Sequence, residues 1–138
     1  MRADEIMTER VVTIRATQKV ADAIEVLAEH RIRHLPVVGD AGQLVGMITD
    51  RDLRGVGVPR LFEGESLARL RERLDARVSD VMSADVATVG PEAALVEIID
   101  CMLEENVGAV PVVDDDTDRL VGIVSYVDVL RAVREELE

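Results

Sequence analysis

Two seven-residue segments hold the side chains best placed to do chemistry. Gly46-Met47-Ile48-Thr49-Asp50-Arg51-Asp52 and Gly122-Ile123-Val124-Ser125-Tyr126-Val127-Asp128 both read G-h-h-[ST]-x-x-D, where h is apolar. Each reads as the end of a strand running into the start of a helix. A hydroxyl at the N-cap with an acid three residues on is a capping box, which contributes about 1 kcal/mol to a helix. The same atoms suit a ligand. A helix N-terminus offers N–H groups and the positive end of its dipole to a phosphate. Thr49 or Ser125 adds a hydroxyl. Asp52 or Asp128 can accept both hydroxyls of a ribose, as the acid of dinucleotide folds does. The spacing leaves both readings open, and its occurrence twice puts the ligand reading level with capping.

Other reactive residues form no convincing site. His30 and His34 stand at i, i+4, a metal-compatible spacing, but no carboxylate or cysteine completes the set and Arg33 between them is repulsive. Asp114-Asp115-Asp116-Thr117-Asp118 resembles a calcium loop only in charge. It lacks the central Gly and closing Glu, and a hairpin turn explains it. Cys101 is the single cysteine. It falls in an apolar helical stripe and reads as a small buried hydrophobe. Gly55-Val56-Gly57 is too short for a dinucleotide fingerprint. No Ser-His-Asp or Cys-His order suggests a nucleophile, so the chain reads as non-catalytic.

The elements that position the two segments repeat along the chain. Ile6-Met7-Thr8 reappears as Val81-Met82-Ser83, Val11-Val12-Thr13 as Val86-Ala87-Thr88, and His34-Leu35-Pro36-Val37-Val38 as Ala109-Val110-Pro111-Val112-Val113. The offset is 75 positions in each pair, and 76 from Leu44-Val45-Gly46 to Leu120-Val121-Gly122, which leaves one extra residue in the second turn. Val20, Ala23, Ile24 and Leu27 lie on one helical face, and Leu95, Ile98, Ile99 and Met102 repeat that spacing. Met7 and Met82 read as core fillers near the junction of the repeats.

Each copy predicts β-α-β-β-α. The first strand covers Val11–Ile14 or Val86–Val89. Thr17 or Gly90-Pro91 opens a helix of about four turns that ends near Arg31 or Asn106. A hairpin follows, with Pro36 and Pro111 implying an edge position or a bulge. The final helix starts after Thr49 or Ser125. Residues 1–57 form repeat 1, 58–77 a linker and 78–138 repeat 2. The breaker Gly55-Val56-Gly57-Val58-Pro59 lies between the copies. Ser66–Asp75 then places Leu67, Leu70 and Leu74 on one face of a short helix that needs a partner. The fold class is α/β (α+β). Neither half buries enough core alone, so the halves are expected to pack sheet to sheet about a pseudo-twofold axis, with two related clefts.

Composition bounds the function. The 138 residues carry a formal charge of −12, which argues against nucleic acid and anionic lipid as partners. Tyr126 and Phe62 are the only aromatics, so base-stacking platforms are absent. Any phosphate site must be a local basic cluster. No apolar run approaches the roughly 20 residues of a membrane helix. Met1–Met7 is charged and shows no signal peptide, so a cytoplasmic location is expected.

Taken together, h-M-[TS], a strand ending in Thr, a helix, x-x-h-P-h-h and G-h-h-[ST]-x-x-D resemble the CBS domain, and the pair resembles a Bateman module. The resemblance covers nearly the whole chain outside the linker. It implies a regulatory, energy-sensing module that binds AMP, ADP, ATP or related adenosyl ligands in inter-repeat clefts, needs no cofactor, and forms a homodimer that acts on a regulated partner protein. Asp52 and Asp128 match the ribose-binding acid, and Thr49 and Ser125 the neighbouring hydroxyl. Arg33 and His34 match positions that often contact phosphates from the neighbouring repeat, whereas their counterparts Gly108 and Ala109 have no basic group; the sequence leaves open which cleft the two basic residues serve. Thr13 and Thr88 match the adenine end. The alternative is a dimerisation or protein-interaction module without ligand.

Overall fold

The computed structural model describes residues 1–55 and 67–138. The breaker after Gly55, Arg60, Phe62 and the expected helix start at Ser66 lie outside the described residues. Twelve elements are described: α1 (Ala3–Ile6), β1 (Ile14–Arg15), α2 (Val20–His30), β2 (His34–Val38), β3 (Leu44–Thr49), α3 (Asp50–Gly55), α4 (Leu67–Asp75), α5 (Val78–Val81), α6 (Leu95–Glu105), β4 (Ala109–Val113), β5 (Leu120–Ser125) and α7 (Tyr126–Leu137). The chain is a mixed α+β fold with the expected order, except that the first strand of the second copy is reduced to an isolated bridge.

Two compact units emerge, and they exchange their leading segments. One unit holds Met1–Val11, Ala41–Leu44 and Ala87–Glu138, the other Val12–Asp40 and Val45–Val86. The helix at the front of each copy therefore belongs to the unit built on the other. In the first-named unit, the Ala3 and Asp4 N–H groups donate to the Ala93 and Pro91 carbonyls at 2.8 and 2.9 Å. In the other, the Val78 and Ser79 N–H groups donate to the Gln18 and Ala16 carbonyls at 2.8 and 3.0 Å. These bonds satisfy the orphan donors of a helix's first turn. They also fix both cores. Ala3 is buried with Ile98, Val112, Val124 and Val129. Val78 is buried with Ile14, Leu27, Leu35 and Ile48.

This exchange corrects the expected helix starts. Residues 16–19 and 91–94 turn to receive the leading segment, so α2 opens at Val20 and α6 at Leu95 rather than at Thr17 and Gly90-Pro91. Each has 11 residues, three turns and not four. At α2, the Lys19 N–H donates to Asp22 Oδ2 at 3.0 Å, the backward half of a capping box. Both helices end as expected, on Arg31 and Asn106 in the left-handed conformation.

The first strands are also shorter than expected. β1 holds only Ile14 and Arg15, paired parallel with Val37 and Val38. In the second copy the strand shrinks to one parallel bridge, Val89 with Val112, and Pro91 supplies no N–H to extend it. The sheet order β1-β2-β3 puts Pro36 in the middle strand, not at an edge. β1 reaches only Val37 and Val38, so Pro36 falls where β2 is unpaired on that side. Pro111 shows the same logic in the second copy. Its carbonyl accepts from the Val89 N–H at 3.1 Å, so its nitrogen also faces away from β5, where no ladder bond needs a donor. A bulge follows between Val112 and Val113 in the antiparallel β4–β5 pair.

Linker helix α4 packs beside α2, and Lys19 Nζ pairs with Asp75 at 3.3 Å. Leu74 is half-buried, and the side chains of Leu67 and Leu70 lie outside the described residues.

Candidate functional site

The two G-h-h-[ST]-x-x-D segments fold alike. In each, the glycine is buried in the strand and the hydroxyl residue ends it. Gly122 is a position of close approach: a Cβ there would lie 2.3 Å from Met7 Sδ and 3.1 Å from the Thr8 carbonyl oxygen. At Gly46 the corresponding distances are 2.5 Å to Met82 Sδ and 3.0 Å to the Ser83 carbonyl oxygen. The h-M-[TS] motif thus lies across the glycine of the other copy. Two reciprocal backbone bonds join Thr8 with Ile123, at 2.9 and 3.1 Å, and two join Ser83 with Met47, each 2.9 Å. The sequence reading missed this pairing. Its signal is the coincidence of a recurring Met with a recurring strand Gly, at a position where glycine otherwise weakens a strand.

Both capping boxes form. The Thr49 N–H donates to Asp52 Oδ2 at 2.9 Å, and the Asp52 N–H donates to Thr49 Oγ1 at 3.1 Å. The Ser125 N–H and hydroxyl donate to Asp128 Oδ2 at 2.9 and 3.0 Å, and the Asp128 N–H donates to Ser125 Oγ at 3.2 Å. Each carboxylate uses Oδ2 for the cap. Oδ1 takes part in none of these bonds, and an ionised carboxylate has about four acceptor positions. Capping therefore leaves acceptor capacity for a ligand hydroxyl.

A second bond anchors each junction to the preceding strand. The Asp50 N–H donates to the Arg33 carbonyl at 3.2 Å, and the Tyr126 N–H donates to the Gly108 carbonyl at 2.9 Å. These bonds and the caps engage the first and third N–H groups of each helix. The N–H groups of Arg51 and Val127 carry none of them.

The Asp50–Arg33 bond brings Arg33 and His34 beside Thr49 and Asp52 in one unit. Arg33 is exposed and His34 half-buried. Burial pushes the imidazole below its usual pKa range. Asp50 opposes this shift and Arg33 reinforces it. The counterpart junction, with Ser125 and Asp128, has Gly108 and buried Ala109 and so no basic side chain there. Thr13 shares the unit of Thr49 and Asp52, and Thr88 that of Ser125 and Asp128. Both threonines are exposed just ahead of the first-strand residues, and no hydrogen bond among the described residues joins either to its junction.

Among the described residues no three His, Cys, Asp or Glu side chains gather closely enough to hold a metal ion, and no helix is long and apolar enough to cross a membrane.

A duplicated βαββα unit with a capped strand-to-helix junction in each copy defines a tandem module. The CBS domain model matches residues 3–58 and 78–135. The chain belongs to the CBS-domain family. It is 32% identical over 134 residues to a CBS domain-containing protein of Dictyostelium discoideum, covering 97% of this chain and 92% of that one. It is also 32% identical to the inosine-5′-monophosphate dehydrogenase of Methanocaldococcus jannaschii, covering 94% of this chain but only 23% of the enzyme. The chain thus spans a minor part of that relative and of several others it matches, about a quarter to a half of their length. Among solved structures, CBSX2 in complex with AMP superimposes with a TM-score of 0.83 at 27% identity, over 99% of this chain and 98% of that one. CBSX2 is an Arabidopsis thaliana protein. The CBS domain pair of protein MJ0100 in complex with 5′-methylthioadenosine and S-adenosyl-L-methionine gives 0.78 at 26% identity, over 99% and 98%.

Proposed function

We propose that the chain is a non-catalytic regulatory module of the cytoplasm that binds adenosine nucleotides at its two capped junctions. The observation that carries this reading is the repeated junction, in which Asp52 and Asp128 are held in place by one carboxylate oxygen with the other spare. Similar CBS pairs solved with AMP and with S-adenosyl-L-methionine support an adenosyl ligand. Asp52 and Asp128 accept the ribose hydroxyls, and Thr49 and Ser125 with the first-turn N–H groups face phosphate. Thr13 and Thr88 serve the adenine end. Arg33 and His34 make the junction of the first copy the stronger phosphate site, which favours AMP, ADP or ATP there over an uncharged adenosyl compound. Occupancy tracks the cell's nucleotide state and passes to a partner protein through a homodimer.

Calorimetry with AMP, ADP, ATP, S-adenosyl-L-methionine and methylthioadenosine tests this. Nucleotide binding weakened by Asp52→Ala and Arg33→Ala, with the fold intact by circular dichroism, is the expected result. No heat and no thermal shift at millimolar ligand overturns it.

A second reading is favoured by the completed capping boxes and by exposed apolar side chains on the second copy. In that reading the chain is a ligand-independent dimerisation module, and Asp52→Ala and Asp128→Ala lower stability by about 1 kcal/mol each without other effect.

A further inference from the structure

We propose that Met7 and Met82 are modification sites, at which a peroxide converts the thioether to a sulfoxide and so loosens the leading segment of each copy from the strand it covers. No ligand at the junctions is required.

Each sulfur acts as a clasp. Met7 lies over Gly122 of β5, its Sδ and Cγ 2.3 and 2.7 Å from where a Cβ would stand. Met82 lies over Gly46 of β3 in the same way, at 2.5 and 3.0 Å. The two side chains fill the space that a glycine leaves open on its strand. They also meet apolar neighbours. Met7 packs against the core that holds Ile98 and Val124, and Met82 against the core that holds Leu35 and Ile48.

A sulfoxide does not suit this setting. Its oxygen is a polar acceptor, and burying it without a donor is costly. The backbone donors of the same stretches are engaged. The Met7 N–H donates to the Ala3 carbonyl at 2.9 Å, and Thr8 and Ile123 exchange bonds of 2.9 and 3.1 Å. The Met82 N–H donates to the Val78 carbonyl at 2.9 Å, and Ser83 and Met47 exchange two bonds of 2.9 Å. An oxidised side chain reaches water by swinging off the glycine, which takes the clasp away. Gly46 and Gly122 stand three residues ahead of Thr49 and Ser125, so the loosened strand is the one that carries the junction.

Exposure selects these two sulfurs. Of the five methionines, Met47 is 7% exposed and shielded, while Met1 is 40% exposed and clasps nothing. Met7 and Met82 are half-buried, within reach of a small oxidant. Burial, with Glu105 and Glu104 beside it, pushes the Cys101 thiol up, which keeps it in the slow protonated form. The step itself is a two-electron oxygen transfer. A thioether lone pair attacks one oxygen of hydrogen peroxide, the O–O bond breaks and an S–O bond forms. The proton on the transferred oxygen passes to the departing hydroxide, which leaves as water.

Peroxide treatment of the full chain in a Cys101→Ser background, read by peptide mass spectrometry and urea unfolding, tests the assignment. Met7 and Met82 should gain oxygen at least about tenfold faster than Met47, which reacts only through local opening. The urea midpoint should fall by about 0.5–1 M in step with them. Methionine sulfoxide reductases with dithiothreitol should restore it. The Thr8 and Ile123 amides should exchange with deuterium faster once Met7 is oxidised, and the Ser83 and Met47 amides once Met82 is. A protein with Met7→Leu and Met82→Leu keeps Met1, Met47 and Met102, and it should hold its midpoint through the same treatment. Oxidation of Met7 and Met82 no faster than that of Met47 overturns the assignment. So does an equal loss of midpoint in the leucine protein. Should the leucines themselves lower the starting midpoint, exchange in the chain with both methionines decides: sulfoxides at Met7 and Met82 that leave those four amides unchanged overturn it as well.

Discussion

Gly122→Ala is the sharpest probe of the segment exchange. The new Cβ would sit 2.3 Å from Met7 Sδ, 2.7 Å from Met7 Cγ and 3.1 Å from the Thr8 carbonyl oxygen. The Met7 contacts are the severe ones, and its side chain must leave a half-buried position to clear them. The Thr8 carbonyl need give by only a few tenths of an ångström. Overpacking costs about 1–3 kcal/mol, and the lower entropy of the unfolded alanine chain offsets about 0.5–1 kcal/mol of that. A net loss of about 1–2 kcal/mol follows. Met7→Ala alone should lose about 1–2 kcal/mol, below the range for a fully buried Met because Met7 is half-buried. Together the two changes should cost about 1 kcal/mol less than their sum, since Met7→Ala makes room for the Cβ. Met82→Ala belongs to the other unit and should add to Gly122→Ala without coupling. Urea unfolding with constant m-values measures all of these. Additivity of Gly122→Ala with Met7→Ala, or coupling with Met82→Ala in its place, refutes the exchange.

Three further outcomes follow from the same geometry. Ser125→Ala removes the N-cap of α7 and should lower stability by about 1 kcal/mol, read as a drop in melting temperature of about 3–5 °C. Arg31 ends α2 at φ 52°, ψ 44°, a left-handed conformation that costs a side chain with a Cβ. Arg31→Gly should therefore raise the urea midpoint, by up to about 1 kcal/mol of stability, and Asn106→Gly by less, because asparagine tolerates that conformation. Burial lowers the folded-state pKa of His34, so the unfolded chain takes up its proton first as pH falls. The stability owed to His34 is fully present above the unfolded value of about 6.5 and is lost as pH falls through the folded one. His34→Gln should flatten the acid side of the stability–pH curve, and an unchanged curve would show that His34 is not buried.

The repeat and its junctions were legible because they rest on local signals. Helix periodicity, the Thr49/Asp52 and Ser125/Asp128 spacing and the turn after Val38 need no tertiary partner to be read. What escaped was set by partners distant in sequence. Ala3–Ile6 and Val78–Val81 are four-residue helices, too short to form alone, and they exist because carbonyls near residues 16–18 and 91–93 accept their first N–H groups. The same docking delays α2 and α6. Pro36 misled the strand order because the rule against central prolines assumes a fully paired neighbour, and β1 is two residues long. Arg33 and His34 were visible as basic residues beside a proline strand. Their closeness to Thr49 and Asp52 depends on the Asp50–Arg33 backbone bond, which no local pattern shows.

The junction geometry also changes how capping and ligand binding relate. From the sequence they compete as explanations of the same two aspartates. In the fold they use different oxygens of each carboxylate, so one supports the other. The cap holds the Asp128 carboxylate through two bonds from Ser125, and that of Asp52 through one from the Thr49 N–H. A side chain already fixed loses little conformational freedom when a ribose hydroxyl arrives, which is the advantage of preorganisation. A structural role alone would let asparagine replace either aspartate at small cost, because its amide oxygen can still accept from the N-cap N–H. A ribose site would not tolerate the change equally, since the amide nitrogen presents donors where the second hydroxyl needs an acceptor. Affinity and stability should therefore separate in Asp52→Asn and Asp128→Asn, although they fall together in the alanine variants.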